Sequence, residues 1–461
     1  MIAEHDHTVR TVRVEAQGLS RQQELSWRSA VNNYFQQSFP KLLDEVLNKV
    51  FTGDDFVKID QLTLQVQCSS FNFDNAFTDL LRAELLKHLQ AIKRQTVSVA
   101  TYDKMPMLKK ESLHQHYLDG FIFFIKHGYY PWWVKANDDA SLDAIKHMGN
   151  AKARLLPVLK EIGVLRRLIY CVREELFFTL MGIVTGKYVT ELKTLQLQFT
   201  KIFITALVDS SVKIESKKLA PVVFRIIMAS HINQGVIAVE VNQFTNQVVP
   251  VVTFLRKFGN KNVQEQELIN GIESVLAFSS TSKRTEFISE LPEVESESIW
   301  IDNAGIVILH PFLVTLFKRL EITGDTGQMT DLAKAMQVLF YLIYGDVEVN
   351  EALLPLCKII CGLDVYEAVP LLNDLSESDL CECDDLLLSV IDHWSALKST
   401  SPAGLRNTFF FRNAKLVQCE NGWELLVEPK TEDILLEKLP WAISYIKLPW
   451  MKTMLHTIWH Y

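Results

Sequence analysis

Asp302 and His310 are the two residues of this chain whose types could most readily do chemistry together. They lie eight positions apart in the stretch DNAGIVILHP, and a carboxylate can orient an imidazole that acts as a general base. The sequence contains no G-x-S-x-G nucleophile elbow, Walker loop or G-x-G-x-x-G turn. The structural interpretation is favoured, in which Asn303 and Gly305 make a turn and His310-Pro311 begins a helix. We therefore predict no catalytic residue.

Four cysteines form the one cluster that could suggest a metal site. They are spaced as C-x3-C and then C-x-C, and neither half matches a common zinc-binding spacing. The first pair lies four residues apart on an apolar stretch, which is typical of small core residues on one helix face. We expect no metal and no cofactor; the cysteines are Cys357, Cys361, Cys381 and Cys383.

Six carboxylates gather between Leu372 and Asp385 in LNDLSESDLCECDD. A calcium loop needs acids at alternate positions closed by a glycine and a glutamate, and this stretch lacks that arrangement. Carboxylates are also favoured by the dipole in the first turn of a helix. The pattern predicts a solvated helix N-terminus rather than an ion site.

Composition and charge argue against nucleic acid and membranes as partners. The chain has 461 residues, a formal net charge of -8 and a pI of about 5.9, so it has no global basic field for nucleic acid. Its purely apolar runs, such as Phe121 to Ile125, are far too short to span a membrane. The N-terminal stretch has no apolar signal core, and seven scattered cysteines fit reduced thiols. We expect a cytoplasmic protein that binds neither nucleic acid nor a membrane.

Residues 1–104 are predicted to form a small β-α-β-α module. TVRTVRVEA and IDQLTLQVQ alternate apolar and polar residues as half-buried strands do. Between them, apolar residues at steps of four from Trp27 to Phe51 predict one long helix kinked at Pro40. Asp74 is expected to cap a second helix, whose inward residues are Phe77, Leu81, Leu85, Leu89 and Ile92.

The rest of the chain divides into three predicted stretches. Residues 105–278 are predicted to form amphipathic helices. The first is expected to end at Gly128, before an extended aromatic segment with Pro131, Trp132 and Trp133. Residues 279–298 are polar and serine-rich, which indicates a linker. Residues 299–461 predict a C-terminal α+β domain whose FFFRNAKLVQCENGWELLVEP forms a β-hairpin. Asn421-Gly422 would supply the positive φ angles of a type I′ turn. The predicted fold class is α+β, predominantly helical.

Tryptophan recurs beside proline, and two interpretations of these rings are open. They can be core anchors directed inward by rigid proline turns, or they can form a docking surface, since tryptophan is enriched in interface hot spots. The repeated Leu-Pro-Trp near the C-terminus is expected to fold back into its domain, while Trp459 to Tyr461 could meet a partner. The candidate structural or partner-contact residues are Trp132, Trp133, Asn303, Gly305, His310, Pro311, Trp394, Trp441 and Trp450.

Several of these motifs together resemble the contractile injection system tape measure family, found with phage-tail-like particles that deliver toxins from bacteria. The motifs are SIWIDNAGIVILHPFLVTLFKRL, LCKIICGL, VIDHWSALKSTSPAGLRNTFFFR, GWELLVEPKTEDILLEKLPWAISYIKLPWM and the earlier GYYPWWVK. The similarity is densest over residues 299–461, where the motifs follow the family's order. Over residues 110–190 it rests on an arginine-rich helical pattern.

The resemblance implies a non-enzymatic structural protein that takes part in particle assembly and in control of inner-tube length. It implies inner-tube, baseplate or cap proteins as partners, with self-association a further alternative. It also implies assembly in the bacterial cytoplasm, with the tube lumen of the particle as a later location. The family offers no catalytic or cofactor-binding residues.

A simple ruler fits this chain poorly. A helix rises about 1.5 Å per residue, so the whole chain as one helix would reach only about 690 Å, and the composition is that of a globular protein. Three hypotheses remain: a length-controlling protein in the tube lumen, a globular assembly factor docking at the baseplate or cap, and an enzyme that uses Asp302 and His310.

Overall fold

The computed structural model describes most of the chain and divides it into two compact units, residues 1–117 and 118–461. The described residues are 9, 12–15, 27, 30–31, 33–35, 37–51, 56–59, 62–67, 72–95, 108–134, 138–209, 218–233, 241–257, 265–276, 298–372, 374–397 and 400–460. The predicted linker, apart from Ser298, lies outside them. None of the described helices is long and apolar enough to cross a membrane.

The first unit pairs two helices with a small antiparallel sheet. Helices α1 (Phe39–Val50) and α2 (Asn75–Gln95) pack together, and strands β1 (Phe56–Ile59) and β2 (Leu108–Glu111) pair in antiparallel register. The predicted cap of α2 is confirmed, because an Asp74 carboxylate oxygen accepts the backbone N–H of Phe77 at 2.9 Å. The inward positions of α2 were also predicted correctly: Leu81, Leu85, Leu89 and Ile92 are buried and Phe77 is half-buried.

The two predicted N-terminal strands were wrong over their described residues except Ile59, which ends β1. Residues 12–15 and 62–67 belong to no strand. Residues 62–67 do alternate half-buried and exposed side chains, so the sequence pattern reflects burial without a hydrogen-bonded ladder. The predicted interruption of the helix near Pro40 is confirmed, because the described residues between 27 and 37 are helical and one turn residue separates them from α1. A turn at Ser38 precedes α1, and Pro40 lies in its first turn, where the missing N–H costs nothing.

The second unit begins with a series of helices over residues 118–276, here called the helical part. Helix α3 (Leu113–His127) crosses the boundary between the two units and ends, as predicted, at Gly128, whose φ is +85°. The following helices are α4 (Asp138–His147), α5 (Ala151–Val158), α6 (Ile162–Tyr170), α7 (Glu174–Thr185), α8 (Val189–Asp209), α9 (Leu219–Asn233), α10 (Val241–Leu255) and α11 (Glu265–Val275).

Residues 298–460, here called the C-terminal part, combine helices with a five-stranded sheet. The strands lie in the order β3-β4-β5-β7-β6, and the β5–β7 pair is parallel while the other pairs are antiparallel. The helices are α12 (His310–Arg319), α13 (Leu332–Tyr344), α14 (Pro355–Ile360), α15 (Glu377–His393) and α16 (Pro402–Leu405). The strands are β3 (Ile299–Ile301), β4 (Ala414–Cys419), β5 (Gly422–Val427), β6 (Tyr445–Ile446) and β7 (Met454–Ile458).

The predicted hairpin is confirmed as β4–β5, but its turn differs from the prediction. Cys419 pairs with Gly422, so the two loop residues are Glu420 and Asn421 rather than Asn421 and Gly422. Neither loop residue has a positive φ, which a type I′ turn would require at both. Gly422 instead opens β5 with φ +146°, where a Cβ would lie 2.1 Å from the Met454 carbonyl oxygen. This glycine permits the close approach of β7.

The fold class is confirmed as predominantly helical α+β. One apolar core fills the C-terminal part, and from outside residues 299–459 its described members include only Tyr129 and Phe123. Residues 118–461 nevertheless form one compact unit. The separation of a helical middle domain from a C-terminal domain at residue 299 stays a prediction.

Candidate functional site

The segment Asn303–Pro311 lies at the centre of the C-terminal part. After β3 the chain forms a 3₁₀ helix, Ala304–Leu309, in which all six side chains are buried. Gly305 lies so close to the neighbouring π-helical turn (Arg406–Phe410) that a Cβ would stand 1.8 Å from the carbonyl oxygen of Phe409. Only glycine fits at this position without a shift of the backbone.

Asn303 connects this segment to two other elements. It is fully buried, and its Nδ2 donates to the Leu353 carbonyl at 2.7 Å and to the Tyr344 hydroxyl at 3.1 Å. The Tyr344 hydroxyl in turn donates to an Asp302 carboxylate oxygen at 3.1 Å. Burial raises the pKa of Tyr344, and the Asp302 charge adds to this shift, so the phenol stays protonated and able to donate.

His310 is engaged locally rather than with Asp302. Its Nδ1 lies 3.0 Å from the Val307 carbonyl, as expected for a donated hydrogen bond, and burial lowers the pKa of the imidazole. Pro311 follows in the first turn of α12. No hydrogen bond joins His310 to Asp302, and the carboxylate binds Tyr344 instead. The geometry gives the acid–histidine hypothesis no support.

Trp441 and Trp450, the tryptophans of the repeated Leu-Pro-Trp, make the same kind of bond. The Trp441 indole N–H donates to the Ile308 carbonyl at 2.9 Å, near the end of the 3₁₀ helix. The Trp450 indole N–H donates to the Ile360 carbonyl at 2.8 Å, on the last residue of α14. Both rings also pack on phenylalanine, Trp441 on Phe312 and Trp450 on Phe317. Each tryptophan therefore binds a carbonyl group near the end of a helical segment.

Trp394 is fully buried, and its indole N–H donates to the Leu435 carbonyl at 3.2 Å. Its ring packs 4.6 Å from that of Phe409, beside the Gly305 contact. Trp394 is a member of the C-terminal core, and the half-buried Trp441 and Trp450 pack against it. Asn303 and Gly305 are buried, His310 is half-buried and Pro311 is exposed.

Contact of Trp459 with a partner was left open by the sequence, but its side chain is only 7% exposed. Its indole N–H donates to an Asp433 carboxylate oxygen at 2.9 Å, and the other carboxylate oxygen accepts from Arg412 at 2.6 Å. Both members of this ion pair are buried. Trp459 is therefore an internal residue of the fold, and Tyr461 lies outside the described residues.

Trp132 and Trp133 lie in the helical part and are not among the described members of the C-terminal core. The predicted extended conformation was wrong, because Val134 donates its N–H to the Pro131 carbonyl at 3.0 Å and closes a turn. The preceding Tyr130 stacks on Phe124 of α3 with ring centres 4.9 Å apart. Both tryptophans are half-buried.

Two smaller predictions are confirmed. Cys357 and Cys361 are buried core residues, and burial raises the pKa of the Cys357 thiol to about 12. The carboxylate-rich stretch begins α15 with a capping box, in which the Ser376 hydroxyl accepts from the Asp379 N–H and the Asp379 carboxylate accepts from Ser376.

A buried charge cluster was missed by the sequence reasoning. The carboxylate of Glu351 accepts from Arg167 at 3.1 Å and from Lys358 at 2.7 Å, and all three side chains are at most 4% exposed. The cluster joins α6 to residues 351–358, about 190 positions further along the chain. Burial by itself raises the pKa of the Glu351 carboxyl, but the Lys358 and Arg167 charges outweigh burial and hold it below its usual range.

Arg167 also binds backbone carbonyls on both sides of this contact. It donates to Ile125 and Lys126 at the end of α3, at 2.8 and 3.0 Å, and to Tyr366 between α14 and α15. In the sequence it stands among Leu165, Leu168 and Ile169, on the apolar stripe of a helix. A cation in such a stripe signals a buried partner, but the partner's position could not be read from the sequence.

Comparison with known proteins agrees with the family resemblance. The model of the family described as "Contractile injection system tape measure protein" matches residues 6–459. No curated protein and no solved structure matches the chain significantly. The family is one of structural components of these particles, so other particle components are the chain's partners. Because the match covers nearly the whole chain, this protein belongs to the contractile injection system tape measure protein family.

Proposed function

We propose that this chain acts in particle assembly as a folded protein that docks on inner-tube, baseplate or cap components, and that it does so without enzymatic chemistry. The observation that carries the proposal is the bond of Arg167 to Glu351, which joins residues 184 positions apart. The charge cluster of Arg167, Glu351 and Lys358 holds the helical part against residues 351–358. An extended ruler would need to straighten the helical part.

The core of the helical part supports the same conclusion. Phe177, Phe178, Phe203 and Phe224 are each 0% exposed. Full burial of one such side chain stabilises a fold by about 1.5–3 kcal/mol, and a typical domain has a net stability of only about 5–15 kcal/mol. An extended chain would lose these contacts unless the tube wall replaced them. A folded docking protein keeps them.

Helix lengths also favour a folded body. Among the described helices the longest, α2 and α8, have 21 residues each, and a helix of that length spans only about 30 Å. Neither helix is a rod on the scale of a tube many rings long.

The ruler remains the second candidate, since the family takes its name from tube-length control. In that form several copies would lie in the tube lumen after refolding. The two candidates differ in what sets length: the extent of the chain in the ruler, and the docking surfaces of a folded body in the assembly factor.

Electron microscopy of particles from a strain that lacks this chain tests the proposal. We expect few particles or tubes of uncontrolled length, and restoration by the wild-type chain supplied in the producing cell. Particles of normal number and normal tube length in the deletion strain would contradict the proposal.

A further inference from the structure

The helical part and the C-terminal part meet through buried charges as well as through the contact of α11 with α13. The C-terminal core takes only Tyr129 and Phe123 from outside residues 299–459 among its described members. Across the contact lie the cluster of Arg167, Glu351 and Lys358 and an ion pair between Lys218 and Asp374. Here this contact is called the joint.

The C-terminal side of the joint includes a segment without regular structure. Residues 361–372, here called the strap, form no helix or strand between α14 and α15. Two cations bind the strap, because Arg167 donates to the Tyr366 carbonyl and Lys358 Nζ donates to the Val365 carbonyl at 3.2 Å. Val365 and Val369 of the strap are also buried in the C-terminal core. The Tyr366 ring packs against His127 and Tyr129 of the helical part. Few regular backbone bonds oppose a displacement of the strap.

Charged contacts and apolar contacts respond differently when such a joint opens. Exposing apolar side chains to water costs free energy in proportion to the area exposed. Buried ions regain the hydration that burial had removed, so separation of a complete ion cluster costs much less than its Coulomb attraction suggests. A joint built on Arg167, Glu351 and Lys358 can therefore open without unfolding either side.

The carboxylate of Glu351 holds the two sides of the joint together. It is the one carboxylate bonded to both cations of the cluster, one from each side. Without its charge, Arg167 and Lys358 would remain as two buried cations, which is strongly unfavourable.

We propose that the joint is a latch, at which the helical part and the C-terminal part separate as two folded bodies when the bonds of Glu351 are broken. The latch goes beyond the proposed function, because it describes how the chain can change shape rather than where it docks.

Hydrogen exchange on the purified full-length Glu351→Gln chain tests the latch. The variant keeps the shape of the side chain and removes its charge. We expect amide exchange in the strap and at the end of α3 to rise at least about tenfold, since a buried pair has been broken. Exchange in α7 and in the β4–β5 hairpin should stay within about twofold of wild type, because each body remains folded.

Two matched variants each break an arginine–carboxylate pair inside one body. The carboxylate is buried in both pairs, while Arg166 is 38% exposed and Arg412 is buried. Glu273 is 2% exposed and accepts from Arg166 and Tyr170 within the helical part, and Asp433 pairs with Arg412 within the C-terminal part. Glu273→Gln should raise exchange within the helical part, and Asp433→Asn should raise it within the C-terminal part. Neither should raise exchange on both sides of the joint.

Three results would overturn the latch. The first is unchanged exchange in the strap of Glu351→Gln, and the second is equal loss of protection throughout both bodies. The third is the same strap-centred pattern in Glu273→Gln or Asp433→Asn. All measurements use the purified chain without particles, so their failure leaves the docking proposal standing.

Discussion

The indole N–H of Trp450 lies 2.8 Å from the carbonyl oxygen of Ile360, the last residue of α14. Nine residues earlier, the same Leu-Pro-Trp triplet places Trp441 on the Ile308 carbonyl. The repeat thus places two rings at two helix ends, each with its one donor used. The tryptophan-rich C-terminal stretch is bonded into the C-terminal part at these positions.

Trp450 should contribute both an apolar ring and a hydrogen bond to stability. We expect Trp450→Phe to lower the free energy of unfolding by about 1 kcal/mol, through the lost bond. Trp450→Ala should lower it by about 2–3 kcal/mol, because the ring that is lost is half-buried and packs on Phe317. Denaturant unfolding of the purified chain measures both. The control is Trp300→Phe on β3, where the ring is 40% exposed and the change should be within about 0.5 kcal/mol. Equal effects of Trp450→Ala and the control would contradict a core role.

Gly305→Ala should be among the most damaging single substitutions in the C-terminal part. The added carbon would stand 1.8 Å from the Phe409 carbonyl oxygen, which is backbone and cannot swing aside. We expect a loss of about 3 kcal/mol or more in unfolding free energy. The matched control is Gly163→Ala in α6, where no atom lies within 4 Å and alanine should be neutral or stabilising by up to about 1 kcal/mol. A Gly305→Ala chain as stable as wild type would show that the 3₁₀ helix can move.

His310 should make the chain less stable in mild acid. Burial lowers the pKa of His310 in the folded chain below its usual 6.5, so the unfolded chain takes up the proton first. The stabilising effect is present above about pH 6.5 and is lost as pH falls through the folded-state pKa. We expect the drop in Tm between pH 7.5 and pH 5.5 to be smaller in His310→Asn than in wild type.

The control for this pH effect is His393→Asn. His393 is exposed, and its Nδ1 likewise binds a backbone carbonyl, that of Ser389 at 2.7 Å. This variant should keep the full wild-type drop in Tm. An identical drop in wild type and His310→Asn would contradict the assignment to His310.

Asp302→Asn tests the enzyme hypothesis with little structural cost, since the amide oxygen can still accept from the Tyr344 hydroxyl. We expect particles that assemble in normal number and deliver toxin as wild type does. Normal assembly combined with lost delivery would indicate chemistry at Asp302.

Local features could be predicted from the sequence, whereas contacts between distant segments could not. The Asp74 cap, the Gly128 helix end and the buried Cys357 follow from patterns within a few residues, which is the range over which caps and periodicity act. The Arg167–Glu351 bond and the Trp450–Ile360 bond join distant segments, so no local pattern specifies them. The hairpin turn was wrong for a related reason: its register depends on the approach of Met454 to Gly422, which only the parallel β7 pairing reveals.

The most direct test of a folded assembly protein is the tube length produced by a chain made longer without disturbing its folded parts. Flexible insertions of 40 and 80 residues are placed within the polar stretch 279–297, and retention of the fold is checked by circular dichroism. Tube lengths are then measured by electron microscopy in a strain that makes only the altered chain. We expect particles whose mean length equals wild type for both insertions. Tubes longer by about 60 Å to about 130 Å for the first insertion, and by twice as much for the second, would contradict the account and establish an extended ruler.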